Sequence, residues 1–317
     1  MNKKILEVCL PVHNEEEILD EFTESLYNWF NNSRVVNEFE NFIIHFLNNG
    51  SVDKSSEKLK RIKDQYPNVK ITSFVKNYGF HTSTSYLLYK STGDIVVLIP
   101  SDNQVPLESV EIAIIETLKT NNSSFLVRKN NYEDSKLMGV FKKNFYKIMR
   151  KISYGSIDGF FGMGVYTFQS LSVIKKSQYT PFHIRLVIPY VVDSFNIIGF
   201  NELKRKAGKT SFGIINYFIE SFKLILSSQK FPTYLSVGLV SFFSISTFLS
   251  LPLIIILKIL LPASIHPGFA TIIILLLLMM SIQGILTLLI LLEIKSRDGI
   301  SGLSILRRKR PIIIKNN

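Results

Sequence analysis

The stretch ILEVCLPVHNEEE, residues 5–17, is a short apolar run that ends directly in a polar, acidic loop. Three later stretches repeat this arrangement: NFIIHFLNNG at 41–50, VKITSFV at 69–75 and DIVVLIPSDNQ at 94–104. Segments with helical character separate the four runs. Short apolar runs that alternate with helices are typical of a mostly parallel sheet covered by helices on both faces. The sequence therefore predicts an α/β fold for residues 1–211.

Polar residues gather where the predicted strands end, at 11–15, 48–53 and 100–104. In open parallel sheets, ligands bind beyond the carboxyl ends of the strands. We therefore expect a nucleotide at this edge. Cys9 is the single cysteine and lies in the middle of a predicted strand. A single cysteine excludes an intramolecular disulfide and a cysteine-cluster metal site, and we expect this one to be a small buried residue.

The chain is both basic and apolar. Its 317 residues include 37 Lys and Arg against 25 Asp and Glu, a formal net charge of +12, and 46% of them are hydrophobic. This combination disfavours a disordered tail and an ordinary soluble enzyme. No nucleic-acid motif accompanies the basic charge, much of which flanks apolar segments. Lipid headgroups are therefore the expected anionic partner, and nucleic acid is not.

Two long apolar segments follow the predicted α/β domain, at residues 234–261 and 269–292. Each is long enough to cross about 30 Å of hydrocarbon as a helix. The connector PASIHPG carries no Lys or Arg, whereas the segment after the second span is rich in both. The positive-inside rule then places the N-terminal domain and the tail in the cytoplasm. The alternative is a helical hairpin buried in a soluble core.

The resulting domain prediction has an interfacial amphipathic helix at 212–232, a transmembrane hairpin at 233–294 and a basic cytoplasmic tail at 295–317. In FGIINYFIESFKLILSSQKF, at 212–231, the apolar side chains fall on one helical face and the polar ones on the other. KLMGVFKKNFYKIMRKI, at 136–152, mixes apolar and basic residues and suits an anionic leaflet. For both segments, the alternative is an amphipathic helix that packs on the domain.

Several stretches together resemble a known family: PVHNE at 11–15, NNGSVD at 48–53, KNYG at 76–79 with TGD at 92–94, PSDNQ at 100–104 and RKAGKT at 205–210. Their order and spacing resemble the family 2 glycosyltransferases of the GT-A fold, and within these the polyprenyl-phosphate group, whose bacterial members end in two membrane helices. The resemblance implies a Rossmann-like GT-A domain followed by an interfacial helix and a transmembrane hairpin.

The same resemblance implies that the protein is an inverting glycosyltransferase that spans the bacterial inner (plasma) membrane more than once. It would serve the synthesis or modification of cell-envelope glycans. Such an enzyme moves a sugar from a nucleotide sugar to an undecaprenyl-type phosphate at the cytoplasmic leaflet.

Donor-binding roles are implied for residues at the predicted strand ends. These are Pro11, His13, Asn14, Glu15, Asn48, Asn49, Asp53, Lys76, Asn77, Gly79, Ser101 and Asp102. Asn48 and Asn49 stand where the family has two acidic residues that face the base and the ribose. Asparagine still forms hydrogen bonds, so we expect nucleotide binding with an altered base preference.

A divalent cation, Mg²⁺ or Mn²⁺, is implied at Asp102 and Gln104, which match positions of the family's D-x-D-x-Q motif. Pro100 replaces the first carboxylate of that motif, so we expect weaker cation binding. Cleavage of the bond between C1 and the diphosphate develops negative charge on the leaving group, which is why the site needs a cation or fixed positive charge. The alternative is that Ser-Asp-Asn-Gln forms only a turn.

Arg205, Lys209 and Thr210 are the implied acceptor-phosphate site. A polyprenyl phosphate is already ionised at neutral pH, so it needs positive charge to position it rather than a strong general base. The alternative is a juxtamembrane basic cluster without this role. Asp102, Asp158 and Arg205 are the catalytic candidates.

Asp158 begins a glycine-rich stretch, DGFFGMG, that resembles an acceptor-side segment of the family. Asp158 would orient the acceptor or a sugar hydroxyl, or it would be structural. The three glycines predict a tight turn or a close approach of the backbone to a ligand. Gly162 stands where the family commonly has Arg.

Two other functions stay open because Pro100, Asn48 and Asn49 all remove negative charge from the implied donor site. One is transfer to a lipid-linked glycan or another membrane acceptor. The other is a non-catalytic glycosyltransferase-like membrane scaffold. The sequence also leaves the sugar, the nucleotide and the oligomeric state open, a homo-oligomer included.

Overall fold

The computed structural model describes residues 4–129, 136–153, 156–176, 184–204, 214–226, 228, 230–260, 268–297 and 312–315. The chain divides into two compact units, Met1–Leu224 with Arg310–Asn317, and Ile225–Lys309. The first unit is an α/β domain, and the second contains a pair of long helices.

The α/β unit contains the following strands: β1 (Lys4–Val12), β2 (Phe39–Asn49), β3 (Val69–Phe74), β4 (Ile95–Leu98), β5 (Ser123–Arg128), β6 (Phe160–Thr167), β7 (Ser194–Phe200) and β8 (Ile312–Lys315). Its helices are α1 (Leu19–Asn32), a 3-10 helix (Val36–Glu38), α2 (Ser55–Gln65), α3 (Phe80–Lys90), α4 (Leu107–Thr120), α5 (Lys136–Ile152), α6 (Phe168–Lys176), α7 (Ile184–Val191) and most of α8 (Ile214–Leu226).

One sheet runs in the order β3-β2-β1-β4-β6-β5-β7-β8. β6 pairs antiparallel with β4 and β5, and the other neighbours pair in parallel. The predicted mostly parallel α/β sheet is therefore confirmed. From β1 the chain moves outward to β3 on one side and resumes at β4 on the other. Such a reversal of strand order leaves a crevice at the carboxyl ends of β1 and β4.

The central strands β1, β2 and β4 form the middle of the core. Their residues are buried almost without interruption, because strands covered on both faces read as continuous apolar runs rather than alternating ones. Phe22 and Leu26 of α1 join the same apolar cluster. Cys9 is completely buried, as expected, and its burial raises the pKa of the thiol well above the ordinary value.

Glu7 is a fully buried carboxylate in the middle of β1. Its Oε2 accepts hydrogen bonds from the amides of Thr92 (2.6 Å) and Gly93 (2.8 Å), and its Oε1 lies 3.0 Å from Nδ1 of His45. Burial raises the pKa of Glu7, but these hydrogen bonds outweigh burial, and the pKa lies below its ordinary value of 4.5. Glu7 thus ties the turn before β4 to the two central strands.

The TGD stretch at 92–94, which contributed to the family resemblance, belongs to this framework. Asp94 accepts a hydrogen bond from the amide of Ile5 at 2.8 Å. A Cβ atom on Gly93 would lie only 2.8 Å from Cβ of Glu7. The stretch precedes β4 and therefore lies at the amino ends of the strands, away from the edge where a ligand is expected. Its role is structural.

The segment predicted as a basic tail contains secondary structure. Within 295–317, α10 continues to Arg297, and Ile312–Lys315 forms β8, which pairs in parallel with β7. The short run of isoleucines explains the strand, because β-branched residues suit a pleated sheet. β8 was not predicted, because the basic residues before it dominate the local sequence pattern.

The second unit contains α9 (Phe231–Leu260) and α10 (Phe269–Arg297). Thr233–Leu257 and Thr271–Ile290 have mean hydropathies of 2.2 and 2.6, and apart from Ser236 the residues whose burial is described in them are exposed or only partly buried. By length and composition, each helix is sufficient to cross a membrane. A Cβ atom on Gly284 of α10 would lie 2.8 Å from Cγ2 of Val240 in α9, so the two helices touch closely. The burial that a soluble-core hairpin requires is not found in the described residues.

The two predicted amphipathic segments form α5 and α8, and the rings of Phe141 and Phe218 lie 4.6 Å apart between them. α8 therefore packs on the α/β unit, yet Ile219 and Phe222 remain exposed. Val140 of α5 is also exposed. These helices therefore pack on the domain and also keep some apolar side chains exposed.

We predict that Glu7→Gln destabilises the α/β unit by about 1–3 kcal/mol at neutral pH. The side-chain NH₂ group of glutamine would face the backbone N–H groups of Thr92 and Gly93, which need an acceptor. Since the native pKa of Glu7 is lowered, its contribution is present above pH 4.5 and is lost as the pH falls through the native pKa. The difference in stability between the variant and the unaltered protein should therefore shrink at acidic pH. Thermal unfolding in detergent, followed by the fluorescence of Trp29, measures it.

The matched control is Glu24→Gln, an exposed carboxylate on α1. It should change stability by less than about 0.5 kcal/mol at any pH. Equal stability of Glu7→Gln and the unaltered protein at neutral pH would contradict the role assigned to Glu7.

Candidate active site

A cavity of about 550 Å³ lies beyond the carboxyl ends of β1, β2 and β3. The predicted donor residues that line it are His13, Asn14, Asn48, Lys76 and Asn77. Other lining residues come from the turns around Gly50–Val52 and Ser73–Val75. Three separate predicted stretches therefore meet at one site, because the register of β1, β2 and β3 brings their ends together.

The turns after β1 and β2 are joined by reciprocal hydrogen bonds. The amide of Asn14 donates to Oγ of Ser51 at 3.1 Å, and the amide of Val52 donates to Oδ1 of Asn14 at 2.9 Å. Oδ1 of Asn48 accepts from the amide of Ser51 at 2.9 Å, and Asn48 is almost fully buried. Asn14 has φ of 55°, a left-handed conformation that asparagine tolerates better than most residues.

A chain of side-chain amides holds the third loop. Nδ2 of Asn49 donates to Oδ1 of Asn77 at 2.9 Å, and Oδ1 of Asn49 accepts from the amide of Tyr78 at 3.0 Å. Oδ1 of Asn77 also accepts from the amide of Gly79, and its Nδ2 lies 2.9 Å from Nε2 of His13. His13 Nε2 is therefore the acceptor, so a neutral His13 carries its proton on Nδ1. Asn49 acts through this loop and is not among the residues that line the cavity.

Asp53 anchors two loops instead of facing the cavity. Its carboxylate accepts hydrogen bonds from the amides of Glu16 (3.1 Å) and Ser55 (3.0 Å), and Oγ of Ser55 accepts from the amide of Glu15. Burial raises the pKa of Asp53, but hydrogen bonds from Ser55 and Glu16 lower it, and the net pKa lies below the ordinary value. These hydrogen bonds to backbone amides are sufficient to explain an acidic residue at position 53.

The Ser101–Gln104 turn follows β4 on the other side of β1 from the cavity. Oγ of Ser101 donates to the carbonyl of Pro11 at 2.9 Å, which joins the turn to the end of β1. Oδ1 of Asp102 accepts from the amide of Gln104 at 3.1 Å, and Asn103 has φ of 57°. Asp102 and Gln104 are neighbours beside the cavity but do not line it.

The donor set at this turn fits a divalent cation only in part. The Asp102 carboxylate and the Gln104 amide are the hard oxygen ligands that Mg²⁺ and Mn²⁺ prefer. Pro100 adds no side-chain ligand. A cation held here would therefore take most of its ligands from water and from a bound diphosphate.

A second group of potential metal ligands does not lie at this edge. The ligand atoms of Glu7, Cys9 and His45 lie within 4.8 Å of one another. All three residues are buried in the middle of the sheet, and both Glu7 and His45 already have hydrogen-bond partners. We therefore assign this group to the core framework and not to a metal site.

In the stretch that begins at Asp158, the structure favours the structural alternative. Asp158 forms an ion pair with Nη1 of Arg150 in α5, and both side chains are about half exposed. Each of the three glycines lies close to protein atoms: a Cβ atom would lie 2.5 Å from the carbonyl of Arg128 at Gly159, 2.8 Å from Cγ2 of Ile184 at Gly162 and 2.6 Å from the carbonyl of Ser124 at Gly164. The close packing of β5, β6 and α7 therefore explains all three.

Residues that the sequence analysis missed lie at the same edge. Arg128 ends β5 and Arg185 lies in the first turn of α7, and their Cζ atoms are 4.9 Å and 5.4 Å from the ring centroid of Phe161. Nη2 of Arg128 is 2.9 Å from Oε1 of Glu202. The position of Arg128 at the end of an apolar run was a usable signal in the sequence, whereas Arg185 had none.

Arg205, Lys209 and Thr210, the predicted acceptor-phosphate site, lie outside the described residues. The described chain stops at Lys204 and resumes in α8. Leu203, two residues before Arg205, donates its amide to the carbonyl of Gln104 at 2.9 Å.

A sequence model of the glycosyl transferase family 2 matches residues 7–175, which is more than half of the chain. The chain belongs to glycosyl transferase family 2. The match spans β1 to α6 and includes the cavity, the Ser101–Gln104 turn and Asp158. The protein is therefore a glycosyltransferase, and its mostly parallel sheet is of the GT-A type.

Two curated relatives are similar to this chain over most of their length, and a third over less than half of its length. The chain is 24% identical over 233 residues to the prophage bactoprenol glucosyl transferase homolog of Escherichia coli K12, covering 72% of this chain and 73% of the relative. It is 25% identical over 236 residues to the bactoprenol glucosyl transferase of Shigella phage SfX, with the same coverage. The undecaprenyl-phosphate 4-deoxy-4-formamido-L-arabinose transferase of Photorhabdus laumondii is 27% identical over 147 residues, 46% of this chain and 42% of that protein.

Solved structures are more distant. TarS 1-349 of S. aureus, in complex with UDP-GlcNAc, aligns with a TM-score of 0.45 and 14% identity over 71% of this chain and 67% of that one.

We predict that Gly162→Ala destabilises the α/β unit by about 1–3 kcal/mol. Gly162 has φ of 88°, and its added Cβ would lie 2.8 Å from Ile184, so backbone strain and overlap with α7 act together. Thermal unfolding in detergent measures the loss.

Gly139→Ala is the matched control, since no atom lies within 4 Å of its Cβ position in α5. Because alanine favours helix, this variant should be neutral or more stable by up to about 1 kcal/mol. A Gly162→Ala variant as stable as Gly139→Ala would contradict the packing described for α7.

Proposed function

We propose that this glycosyltransferase moves a sugar from a nucleotide sugar to an undecaprenyl-type polyprenyl phosphate at the cytoplasmic face of the plasma membrane. One observation carries the proposal: a family 2 domain and two exposed apolar helices of membrane-spanning length occur on one chain. An acceptor with a polyprenyl tail lies in the bilayer, so its enzyme must reach the membrane surface. The names of the relatives, two of which act on bactoprenol or undecaprenyl phosphate, support the same acceptor class.

The proposed arrangement has a cytoplasmic domain at 1–211, an interfacial helix at 212–232, a transmembrane hairpin at 233–294 and a cytoplasmic C-terminal segment at 295–317. The distribution of Lys and Arg supports this orientation, since the connector between the helices has none. The exposed apolar side chains of α8, Phe222 among them, suit a helix that lies in the headgroup region.

On the donor side, the nucleotide would occupy the cavity beyond β1, β2 and β3. Its lining contains two basic side chains, His13 and Lys76, and no Asp or Glu among the described residues. Such a lining suits a ligand with many acceptor atoms and negative charge. The diphosphate would extend toward the Ser101–Gln104 turn. Asp102 and Gln104 would hold Mg²⁺ or Mn²⁺ there, and a bound cation would neutralise the charge that develops on the diphosphate.

On the acceptor side, Arg205, Lys209 and Thr210 would bind the phosphate of the polyprenyl chain. The hydrogen bond from Leu203 to Gln104 supports this role, because two residues of chain span at most about 7 Å. The basic stretch therefore begins close to the turn that carries Asp102. Asp158 is engaged with Arg150, which favours a structural role over the proposed catalytic one.

The proposed chemical step needs no strong base. A phosphate oxygen of the acceptor attacks C1 of the sugar from the face opposite the diphosphate, and the bond between C1 and the diphosphate oxygen breaks. The nucleoside diphosphate leaves with the electron pair, and the configuration at C1 inverts. The protein contributes positioning of two anions and stabilisation of the leaving group.

The direct test incubates membranes that contain the protein with radiolabelled sugar nucleotides and polyprenyl phosphate. A lipid-linked labelled product is expected with at least one donor. No product with any common donor, while an active relative makes one in parallel, would contradict the proposal. Calorimetry with nucleotides and Mn²⁺ then separates the alternatives, because a scaffold should bind no nucleotide, whereas an enzyme for a lipid-linked glycan should bind nucleotide but ignore free polyprenyl phosphate.

We predict that Asp102→Ala lowers transfer at least 100-fold while the protein still inserts into membranes. The carboxylate is the single acidic group of the candidate cation site, and loss of such electrostatic stabilisation has effects of this size. Initial rates of lipid-linked product formation measure the effect. Asp64→Ala, an exposed carboxylate on α2, is the control and should keep its rate. Full activity of Asp102→Ala would exclude this turn from the site.

Arg205→Ala should chiefly weaken the use of the acceptor. We expect a rise of about tenfold or more in the KM for polyprenyl phosphate with little change in the KM for the nucleotide sugar, because a charge-assisted phosphate contact is lost. Lys204→Ala, its exposed neighbour, is the matched control. An equal rise in both KM values would contradict a role at the acceptor.

A further inference from the structure

One side-chain amide lies within the apolar part of the second unit. Gln283 is the single Asn or Gln in residues 231–297. It belongs to Thr271–Ile290, a segment of 20 residues, and at 1.5 Å per residue it is about 4 Å from the middle of that segment. In an α10 that crosses a membrane, this amide therefore lies deep in the hydrocarbon.

The amide of Gln283 has no hydrogen-bond partner in the part of the chain that the structure describes. Its side chain is exposed, and the hydrogen bond at this residue reaches its backbone carbonyl, from Oγ1 of Thr287 at 2.8 Å. Ser281 differs, because its hydroxyl donates to the carbonyl of Leu277 at 3.0 Å within the same helix. An amide carries two donors and an acceptor oxygen, and hydrocarbon supplies a partner for none of them. Gln283 therefore needs a polar partner from elsewhere.

Gln283 belongs to an exposed stripe of α10 that does not face α9. Its neighbour Gly284 lies against Val240 of α9, and consecutive side chains of a helix point about 100° apart. The residues of the stripe follow one another at alternating intervals of four and three, and all of them are exposed: Leu276, Met280, Gln283, Thr287 and Ile290. This heptad spacing presents a continuous seam to a second helix in a left-handed pair. We call these five residues the Gln283 seam.

The amide, and not the apolar residues around it, makes the Gln283 seam a candidate interface. Exposed leucine and isoleucine need no protein partner in a membrane, since lipid tails are equally apolar. Polar side chains inside a membrane segment, in contrast, almost always face another protein group or a water-filled cavity. Hydrogen bonds between such side chains stabilise helix pairs. The seam therefore suits another membrane helix.

Two features of the seam favour a second copy of this chain over a different protein. Copies of one chain insert in the same orientation, so a two-fold axis along the membrane normal brings identical residues together at the same depth. Gln283 would then face the same residue of the second copy. An amide both donates and accepts, so two amides satisfy each other with reciprocal hydrogen bonds. A different protein would have to supply a matching polar group at this depth.

We infer that α10 pairs with α10 of a second copy through the Gln283 seam, with a hydrogen-bonded pair of glutamine amides near its centre. The inference depends on α10 crossing a membrane. It goes beyond the proposed transfer reaction, because none of the residues proposed for that reaction lies in α10.

The first test measures self-association of the full chain by sedimentation equilibrium in density-matched detergent. The unaltered protein should form a dimer. Gln283→Leu, which keeps the approximate size of the side chain but removes the amide, should weaken the dimer about fivefold or more. Gln283→Asn, which retains an amide, should keep most of the affinity. Ser281→Ala is the matched control, since the hydroxyl of Ser281 is satisfied within α10, and it should have no effect.

The second test identifies the contacting face in lipid vesicles. Cys9 is the single native cysteine and is completely buried, so an introduced thiol is the one available for oxidative cross-linking. Met280→Cys, on the seam one turn before Gln283, should give a cross-linked dimer. Ile285→Cys, an exposed position about half a turn around α10 from Gln283, should not. Adding Gln283→Leu to Met280→Cys should lower the yield of the cross-linked dimer.

Three results would overturn the inference. The first is an unaltered protein that is monomeric both in detergent and in vesicles, which would leave the seam to a different protein. The second is a Gln283→Leu variant that dimerises as tightly as the unaltered protein. The third is equal cross-linking of Met280→Cys and Ile285→Cys. The fluorescence of Trp29 during thermal unfolding reports whether the α/β unit of each variant is folded.

These measurements are independent of transfer activity. If the unaltered protein makes no lipid-linked product but dimerises through Gln283, the proposed function fails and the Gln283 seam stands. If the unaltered protein makes product as a monomer, only the seam is overturned.

Discussion

Parallel pairing of β1 with both β2 and β4 is the constraint on which the rest of the α/β unit depends. It aligns Val12 with Asn48 and Cys9 with Leu98, so the polar turns after these strands all emerge at one edge. The buried carboxylate of Glu7 holds the opposite end of β4 in place through the amides of Thr92 and Gly93. A shift in either pairing would separate the cavity from the turn that carries Asp102.

The second feature of the site is that no Asp or Glu among the described residues lines the cavity. Asn48 and Asn49 occupy positions where the resembling family has carboxylates, and Asp53 is engaged with backbone amides. The amide chain through Asn49, Asn77 and His13 depends on groups that both donate and accept, which a carboxylate cannot do. The neutral side chains are therefore part of the hydrogen-bond network that holds the loops together, and they are not isolated replacements.

The carboxyl edge of the sheet has two halves with different chemistry. The polar lining of the cavity beyond β1, β2 and β3 consists of hydroxyls, amides and two basic groups, whereas Arg128 and Arg185 lie beside Phe161 beyond β5, β6 and β7. The Ser101–Gln104 turn lies between them and is tied to both, through Pro11 on one side and Leu203 on the other.

The sequence by itself determined the α/β order of the first four strands, the two long apolar helices and the polar turns that follow β1, β2 and β4. These features follow from hydrophobic periodicity, which is local along the chain. Only the tertiary structure decided that Asp53 anchors loops, that the glycines after Asp158 pack against protein, and that Arg128 and Arg185 converge on Phe161. Contacts between residues far apart along the chain depend on how strands and helices pack, and no local pattern in the sequence records them.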